Sequence, residues 1–297
     1  MNIKKRVFSL LSSCYVVGCL FAQNILISTP ATSLVLSAPE KGELKYIYYG
    51  AKLSDRDFQT IGSLDKGKYA AYPVYGLNCP SEVALAVKHN DGNMTLQLEV
   101  VKVESSHQDE ANLTIISLKD KVYPFYVKMF YKAYQDTDII EIWSEISHQE
   151  KKTVVLNQFA SAYLPIRKGD VWLSHLYGAW ANEGRLEEVP LEAGMKVIKN
   201  KDGVRNSHTA HAEVMFSLDG KPRENEGRVI GAALRRSRPS RWRETISSWD
   251  STAEKTLRRC CLQNLWPTIL ESADSGESLV TLRASSCRSR IMIWKRW

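Results

Sequence analysis

The stretch Ile140-Glu141-Ile142-Trp143-Ser144-Glu145-Ile146 alternates apolar and mostly polar side chains along its length. In an extended chain this alternation puts the apolar side chains on one face and the polar ones on the other, as in a half-buried β-strand. Similar short runs recur on both sides of it, from residues 94–100 to residues 228–230. The pattern therefore predicts an all-β fold.

Turn signals separate these runs. Asp91-Gly92, Asp202-Gly203 and Asp219-Gly220 are dipeptides typical of tight turns between antiparallel strands. Residues 24–234 then hold roughly 14 to 16 strands at the spacing of β-sandwiches. Because an immunoglobulin sandwich has only about seven strands, the pattern predicts a larger antiparallel sandwich, a supersandwich, without an amphipathic helix of ordinary length.

The composition of the chain changes abruptly after Leu234. All 13 Tyr and all 7 Phe precede that point, whereas residues 235–297 hold 5 of the 8 Trp. Residues 235–297 carry a formal charge of +7 (13 Lys and Arg against 6 Asp and Glu), and residues 1–234 carry zero (27 against 27). The basic excess belongs to this tail, so the body has no charge signal for a nucleic-acid partner.

The tail, residues 235–297, shows no sustained apolar period of either helix or strand. Enrichment in Arg, Ser, Cys and Trp, with Tyr and Phe absent, is typical of a coding strand read out of frame. We expect an irregular segment that is either out of frame or disordered. A functional basic arm, with Trp as stacking platforms for RNA, is the third alternative.

The first 22 residues are typical of a signal peptide. A charged start at residues 4–6 precedes an apolar stretch at residues 7–22, which is short for a membrane span. Cleavage after Ala22 predicts an exported protein, periplasmic or extracellular. The alternative is a lipobox at residues 16–19, which would lipidate Cys19 and anchor the protein to a membrane face.

Cysteine usage and motifs indicate no metal or cofactor site. Cys79 is the one cysteine that remains between the signal peptide and the tail, so neither a disulfide framework nor a zinc spacing is expected. Nucleophile-elbow, phosphate-loop and metalloprotease patterns are absent from the sequence.

Two pairs of carboxylates and one pair of histidines are candidates for a catalytic or metal site. Glu141 with Glu145, and Asp136 with Asp138, are interpreted as solvated surface groups, because charged side chains are mostly exposed. The histidines at positions 208 and 211 are interpreted as polar contacts of a loop.

Two aromatic segments combine rings with polar side chains. Residues 48–55 read Tyr-Tyr-Gly-Ala-Lys-Leu-Ser-Asp, followed by Tyr-Pro-Val-Tyr-Gly at residues 72–76, and residues 175–183 read His-Leu-Tyr-Gly-Ala-Trp-Ala-Asn-Glu. Aromatic faces stack on sugar rings while carboxylates and amides accept hydrogen bonds from hydroxyls, so both segments suit carbohydrate. The alternative is that the rings fill the sandwich core.

These segments resemble the N-terminal β-domain of α-galactosidases of glycoside hydrolase family 36. In order, the matching motifs are Tyr-x-Gly-x-x-Leu at 48–53, Tyr-Pro-x-x-Gly at 72–76, Gly-x-Trp-x-x-Glu at 178–183, a Ser-His loop at 203–208, Asp-Gly-Lys at 219–221 and Glu-x-Glu-Gly-x-Val-Ile at 224–230. The ordered set covers residues 24–234. Residues 77–80, Leu-Asn-Cys-Pro, depart from the family, in which many members carry an Asp before an Arg there.

The resemblance implies a domain that shapes the edge of an α-galactoside pocket and assists homo-oligomer assembly, with Tyr49, Asp55 and Trp180 as pocket-edge candidates. Such enzymes hydrolyse terminal α-galactosides with retention, through a covalent intermediate. Their two catalytic aspartates lie in a (β/α)8 barrel that follows the β-domain. The resemblance stops at Leu234, so we expect a truncated chain with no catalytic residue, no cofactor and no hydrolase activity alone.

Two other functions stay open at this point. A stand-alone carbohydrate-binding module would bind galactosides without hydrolysing them and would depend on Trp180. A nucleic-acid binder acting through the tail would lose affinity steeply with salt.

Overall fold

A computed structural model shows a chain that folds almost entirely into antiparallel strands. The structure describes residues 23–39, 41–64, 67, 69–76, 83–108, 110–167, 170–192, 195–198, 210–224, 226–236, 266–272, 279–285 and 289–296. The predicted signal peptide, Cys79 and the Ser-His loop lie outside the described residues. The first described strand begins at Gln23, directly after the predicted cleavage point.

The described residues form one helix and nineteen strands. In chain order these are β1 (Gln23–Ser28), β2 (Thr32–Ala38), β3 (Lys45–Ala51), α1 (Asp55–Leu64), β4 (Tyr69–Ala70), β5 (Leu85–Lys88), β6 (Leu98–Gln108), β7 (Ala111–Asp120), β8 (Phe125–Tyr134), β9 (Ile139–His148), β10 (Val155–Phe159), β11 (Ala162–Arg167), β12 (Trp172–Ala179), β13 (Asn182–Pro190), β14 (Met195–Val197), β15 (Ala210–Ser217), β16 (Val229–Arg236), β17 (Trp266–Ser272), β18 (Leu279–Ser285) and β19 (Ser289–Arg296).

Four sheets make up the sandwich. The largest has nine strands in the order β13-β12-β15-β16-β19-β9-β8-β7-β6. Three smaller sheets have the orders β1-β2-β3-β4, β10-β5 and β11-β18-β17-β14. The predicted all-β antiparallel supersandwich is confirmed.

One hydrophobic core joins these sheets. Along β8, Phe125, Val127 and Met129 are buried, while Tyr126 and Lys128 on the other face are not. This period of two is the alternation that the sequence predicts for a half-buried strand. Inward side chains of the smaller sheets, such as Leu34, Leu85 and Leu164, belong to the same core cluster.

Strand β9 departs from simple alternation. Ile140 and Ile142 face the core, but Glu141 between them is also fully buried. Its carboxylate accepts a hydrogen bond from the Tyr134 hydroxyl at 3.1 Å, and β19 lies against the free side of β9. The interpretation of Glu141 as a solvated group is therefore wrong, because its side chain is buried and its carboxylate is bonded to Tyr134. Glu145 is exposed, as expected.

Helix α1 was not predicted. It is ten residues long, and few of these residues are apolar. Ser54 is its N-cap residue: Ser54 Oγ accepts from the amide of Asp57 (3.2 Å) and donates to the Asp57 carboxylate (2.7 Å). Such a cap specifies a helix start where the apolar pattern is too short to indicate one.

The tail contributes three strands, where the sequence predicted an irregular segment. β19 lies between β16 and β9 in the large sheet, and its Ile293 is buried in the core (1% exposed). β17 and β18 lie between β11 and β14. Short β-branched runs can pair wherever a sheet offers an open edge, even without sustained alternation. Residues 237–265 lie outside the described part.

Candidate functional site

The first motif, at residues 48–53, lies on β3 and the connection that follows. The ring of Tyr48 covers Gly50, since a Cβ at Gly50 would lie 2.4 Å from Tyr48 Cζ. The Tyr48 hydroxyl donates to the carbonyl of Ala51 at 3.0 Å. The motif therefore needs glycine at this position, because any larger residue would displace the ring.

Tyr49 points the other way, into the sandwich. Its side chain is buried (9% exposed) and belongs to the hydrophobic core. Burial, and secondarily the negative charge of Asp138, raise the pKa of the Tyr49 phenol above its ordinary value. Tyr49 thus stays a neutral core residue, and the structure does not present its ring at the surface.

Asp55 is exposed at the first position of helix α1. The cap on Ser54 determines where the helix begins, and the amide of Phe58 donates to the Ser54 carbonyl at 2.9 Å. A carboxylate in the first helical turn is stabilised by the positive end of the helix dipole. Asp55 therefore has a defined backbone position and a carboxylate open to solvent.

The second motif, at residues 72–76, packs inward at its start and turns at its end. Tyr72 is buried (3% exposed), and its hydroxyl donates to the Ala160 carbonyl at 2.8 Å. Gly76 has a φ of 103°, and a Cβ there would lie 2.6 Å from Thr95 Cγ2. Both observations explain the glycine, while Tyr75 before it is 48% exposed. Residues 77–80 lie outside the described part.

Trp180 lies at the tip of the β12–β13 hairpin. Ala179 pairs with Asn182, so Trp180 and Ala181 form a two-residue turn. The indole is 82% exposed, and Tyr177 and Leu186 on the same hairpin are 36% and 59% exposed. Ala181 has a φ of 56°, a left-handed conformation that costs a non-glycine residue about 1 kcal/mol. The hairpin therefore holds an aromatic ring away from the sandwich.

Polar contacts tie this hairpin to the neighbouring sheet. Glu187 on β13 accepts a hydrogen bond from His175 Nε2 on β12 and one from Lys196 Nζ on β14, the latter at 3.1 Å. Burial alone would raise the pKa of Glu187, but the bonds from Lys196 and His175 hold it below its ordinary value. The hairpin that carries Trp180 is thus joined to two sheets.

A cluster of two hydroxyls and one carboxylate joins the β1–β2 turn to the β8–β9 turn. Asp138, in the β8–β9 turn, accepts hydrogen bonds from the side chains of Thr29 and Thr32. Asp136 and Asp138 were both predicted to be solvated surface groups. Asp136 is exposed, as expected, but the prediction is wrong for Asp138, which is partly buried and hydrogen-bonded. No local pattern could have revealed this, because Thr32 and Asp138 are 106 residues apart.

His211 lies on strand β15, not in the loop that the sequence suggested. Its Nδ1 is 3.9 Å from a carboxylate oxygen of Glu213. In the part of the chain that the structure describes, no group of three or more His, Cys, Asp or Glu side chains could hold a metal ion. Likewise, none of the described helices is long and apolar enough to cross a membrane.

The structure thus places Tyr49 and Asp55 on one continuous segment and Trp180 on a separate hairpin. Of the three predicted pocket-edge residues, Asp55 and Trp180 are exposed to solvent and Tyr49 is buried. An exposed carboxylate and an exposed indole are groups that contact sugars: one accepts hydrogen bonds from hydroxyls and the other stacks on apolar ring faces.

The arrangement of strands and motifs defines a class of protein. The family model described as the glycosyl hydrolase family 36 N-terminal domain matches residues 42–237. The chain therefore belongs to this family, through its N-terminal domain.

One relative is the α-galactosidase Mel36A of Lactobacillus acidophilus, which is 24% identical over 238 residues. The alignment covers 68% of this chain and 32% of Mel36A, so the chain spans about a third of that relative's length.

Solved structures of α-galactosidases share the fold. The enzyme from Lactobacillus brevis superposes on 93% of this chain with a TM-score of 0.69 and 17% identity, over 39% of its own length. A variant of AgaA from Geobacillus stearothermophilus, in complex with raffinose, covers 92% of this chain and 40% of its own (TM-score 0.71, 16% identity). AgaB from the same organism covers 95% and 41% (TM-score 0.71, 16% identity).

Proposed function

We propose that this chain provides the N-terminal, non-catalytic domain of an exported α-galactosidase-like glycoside hydrolase. The observation that carries the proposal is the family match over residues 42–237 together with the antiparallel sandwich that the described residues form. Its intact relatives would hydrolyse terminal α-galactosides, and the domain would frame the entrance of the pocket. The chain alone would have no hydrolase activity.

The geometry supports two roles at the edge of such a pocket. The Trp180 indole, 82% exposed on a hairpin tied to two sheets, offers a stacking face for a galactoside. Asp55, exposed at a capped helix start, offers a hydrogen-bond acceptor for hydroxyls. Tyr49 contributes to the core of the sandwich. The domain would also assist homo-oligomer assembly.

Export is a separate part of the proposal. The charged start and apolar stretch of residues 1–22 support it. Expressed in a bacterial host, the mature chain should begin at Gln23, as seen by N-terminal sequencing or intact mass. A chain that begins with lipidated Cys19 would assign the protein to a membrane face, and an intact Met1 would overturn export.

The main test uses raffinose, the sugar bound by one of the structural relatives. The purified chain, freed of host enzyme, should release no galactose above the rate in buffer. Hydrolysis well above the rate in buffer would contradict the non-catalytic role.

In calorimetry, raffinose should bind weakly to the purified chain. Trp180→Ala should remove most of that binding, while Val122→Ala, a change at another exposed apolar side chain, should not.

The second candidate is a stand-alone carbohydrate-binding module. The exposure of Trp180 favours it, because sugar-binding surfaces present aromatic rings. Strong raffinose binding by this chain alone, lost in Trp180→Ala, would make the module the leading function. Weak binding that strengthens when a catalytic barrel is supplied would favour the enzyme domain.

A further inference from the structure

A carboxylate in the β8–β9 turn fastens the β1–β2 turn to the large sheet. Asp138 accepts a hydrogen bond from Thr29 Oγ1 and one from Thr32 Oγ1, the second at 2.7 Å. Both threonines are buried (0% and 1% exposed), and the Thr32 amide donates to Thr29 Oγ1 at 3.0 Å. A second tie runs from Gln135 Nε2 to the Ser28 carbonyl, at 3.0 Å.

The β1–β2 turn and the start of β2 accept hydrogen bonds from the segment that leads into helix α1. The Lys52 amide donates to the Ala31 carbonyl at 2.8 Å, and the Leu53 amide donates to Ser33 Oγ at 3.1 Å. Ser33 is fully buried, so its hydroxyl is a defined acceptor and not a mobile surface group. Asp55 follows Leu53 by two residues.

We propose that Asp138 is a positioning residue for Asp55, acting through Thr29, Thr32 and the two amides of the β3–α1 connection. The inference rests on the proposed pocket-edge role of Asp55. Lys52 and Leu53 follow the last residue of β3, so these bonds set the direction in which the chain leaves the sheet. The charge of Asp138 also influences Tyr49, the buried residue beneath.

The competing explanation is that Asp138 only stabilises the fold. A purely structural residue would lower global stability and leave the native Asp55 segment unchanged. A positioning residue would loosen that segment within the native state. Native-state amide exchange separates the two, because it reports local opening as well as global unfolding.

The first experiment compares Asp138→Asn with Asp136→Asn in the full chain. Asp136 lies in the same turn but is exposed, so it is a matched control. Asp138→Asn weakens the bonds that hold Thr29 and Thr32 in place, so the Lys52 and Leu53 amides should exchange about tenfold faster, while the Val127 amide in β8 should not. An equal increase at all three amides, or none at Lys52 and Leu53, would overturn the proposal.

Milder variants keep the test decisive if Asp138→Asn fails to fold. Thr32→Val removes one donor to Asp138 and should speed exchange at both amides. Ser33→Ala removes the acceptor of the Leu53 amide and should speed exchange at Leu53 more than at Lys52. Exchange at Lys52 and Leu53 that is unchanged in Thr32→Val would contradict the proposal, and Ser33→Ala shows the size of the effect when the acceptor itself is lost.

The second experiment measures raffinose affinity in a double-mutant cycle. Asp55→Asn and Asp138→Asn should each weaken binding, and Asp138→Asn should have no further effect when Asp55 is already changed. Additive losses would overturn the link between the two residues. If the unchanged chain binds no raffinose, the proposed function is at fault, while the exchange data still decide the positioning role.

Discussion

At the scale of single residues, identical side chains have different roles because their surroundings differ. Asp136 and Asp138 are two positions apart, yet one is exposed and the other accepts hydrogen bonds from two buried threonines. Tyr48 covers a glycine near the surface, and Tyr49 lies in the core. Adjacent residues of a strand face opposite sides, so the alternation itself accounts for the tyrosines but not for the aspartates.

His148 at the end of β9 should make stability depend on pH. Burial is the main cause that lowers the pKa of His148; Glu150 opposes this and His89 reinforces it. Because the unfolded chain has the higher pKa, about 6.5, the unfolded state binds more protons. The contribution of His148 to the free energy of unfolding is therefore fully present above about pH 6.5. It is lost as the pH falls through about 6.5 towards the lower pKa of the folded state.

Urea unfolding at several pH values between about 7.5 and 5 checks this sign. The free energy of unfolding should fall less steeply with decreasing pH in His148→Gln than in the unchanged chain. His107→Gln, which removes an exposed imidazole on β6, is the control. A slope that is the same in His148→Gln and the unchanged chain would show that His148 does not titrate as inferred.

At the scale of elements, β6 and β13 are the outermost strands of the large sheet. Some neighbouring strands between them come from segments that are far apart in the sequence. β16 and β19 are neighbours in space, although residues 237–288 separate them in sequence. β19 also pairs with β9, so it closes the gap between two groups of strands. This arrangement makes the large sheet continuous.

Ile293 tests whether β19 is part of the folded sheet. Ile293→Asp should destabilise the protein by about 3–5 kcal/mol, since it buries an unpaired charge in the core. Val101→Asp, at a side chain that is 55% exposed on β6, should change stability by about 0.5 kcal/mol or less. Denaturant midpoints measure both. Equal midpoints for the two variants would show that β19 does not contribute to the sandwich.

At the scale of the whole molecule, the chain is a family 36 N-terminal domain joined to a tail of different composition. The family match ends at residue 237, close to the composition break after Leu234. After that break the chain has 63 residues (235–297) rich in Arg, Ser and Trp. The origin of this tail bears directly on the proposed function.

Resequencing the gene from codon 225 through about a kilobase downstream tests this directly. We expect a second frame to continue past Leu234 for about 250 residues, the length of a (β/α)8 barrel. Such a frame would make the tail an artefact or a scar, and the intact protein an α-galactosidase. If the present frame is confirmed and no barrel frame follows, the binding module becomes the leading hypothesis and the tail is a genuine part of the protein.

Much of the fold could be predicted because its signals are local. Three local signals indicated the all-β class and the family: the alternation at residues 140–146, turn dipeptides such as Asp219-Gly220, and the ordered motifs. Each of them is a property of neighbouring residues. Helix α1 was missed because it is only ten residues long and mostly polar, so its apolar period spans too few turns to stand out in the sequence. The N-cap serine Ser54, followed by Asp57 three residues later, was the available signal.

The sequence by itself determined the strands, their faces and the motif glycines, because steric limits and the two-residue period act between adjacent residues. Only the tertiary structure decided that Glu141 is buried, that Asp138 accepts hydrogen bonds from two buried threonines, and that Trp180 lies on an exposed hairpin. These properties depend on which distant segments meet. Contacts across about a hundred residues leave no pattern in a single sequence, since each partner is an ordinary polar residue in its own neighbourhood.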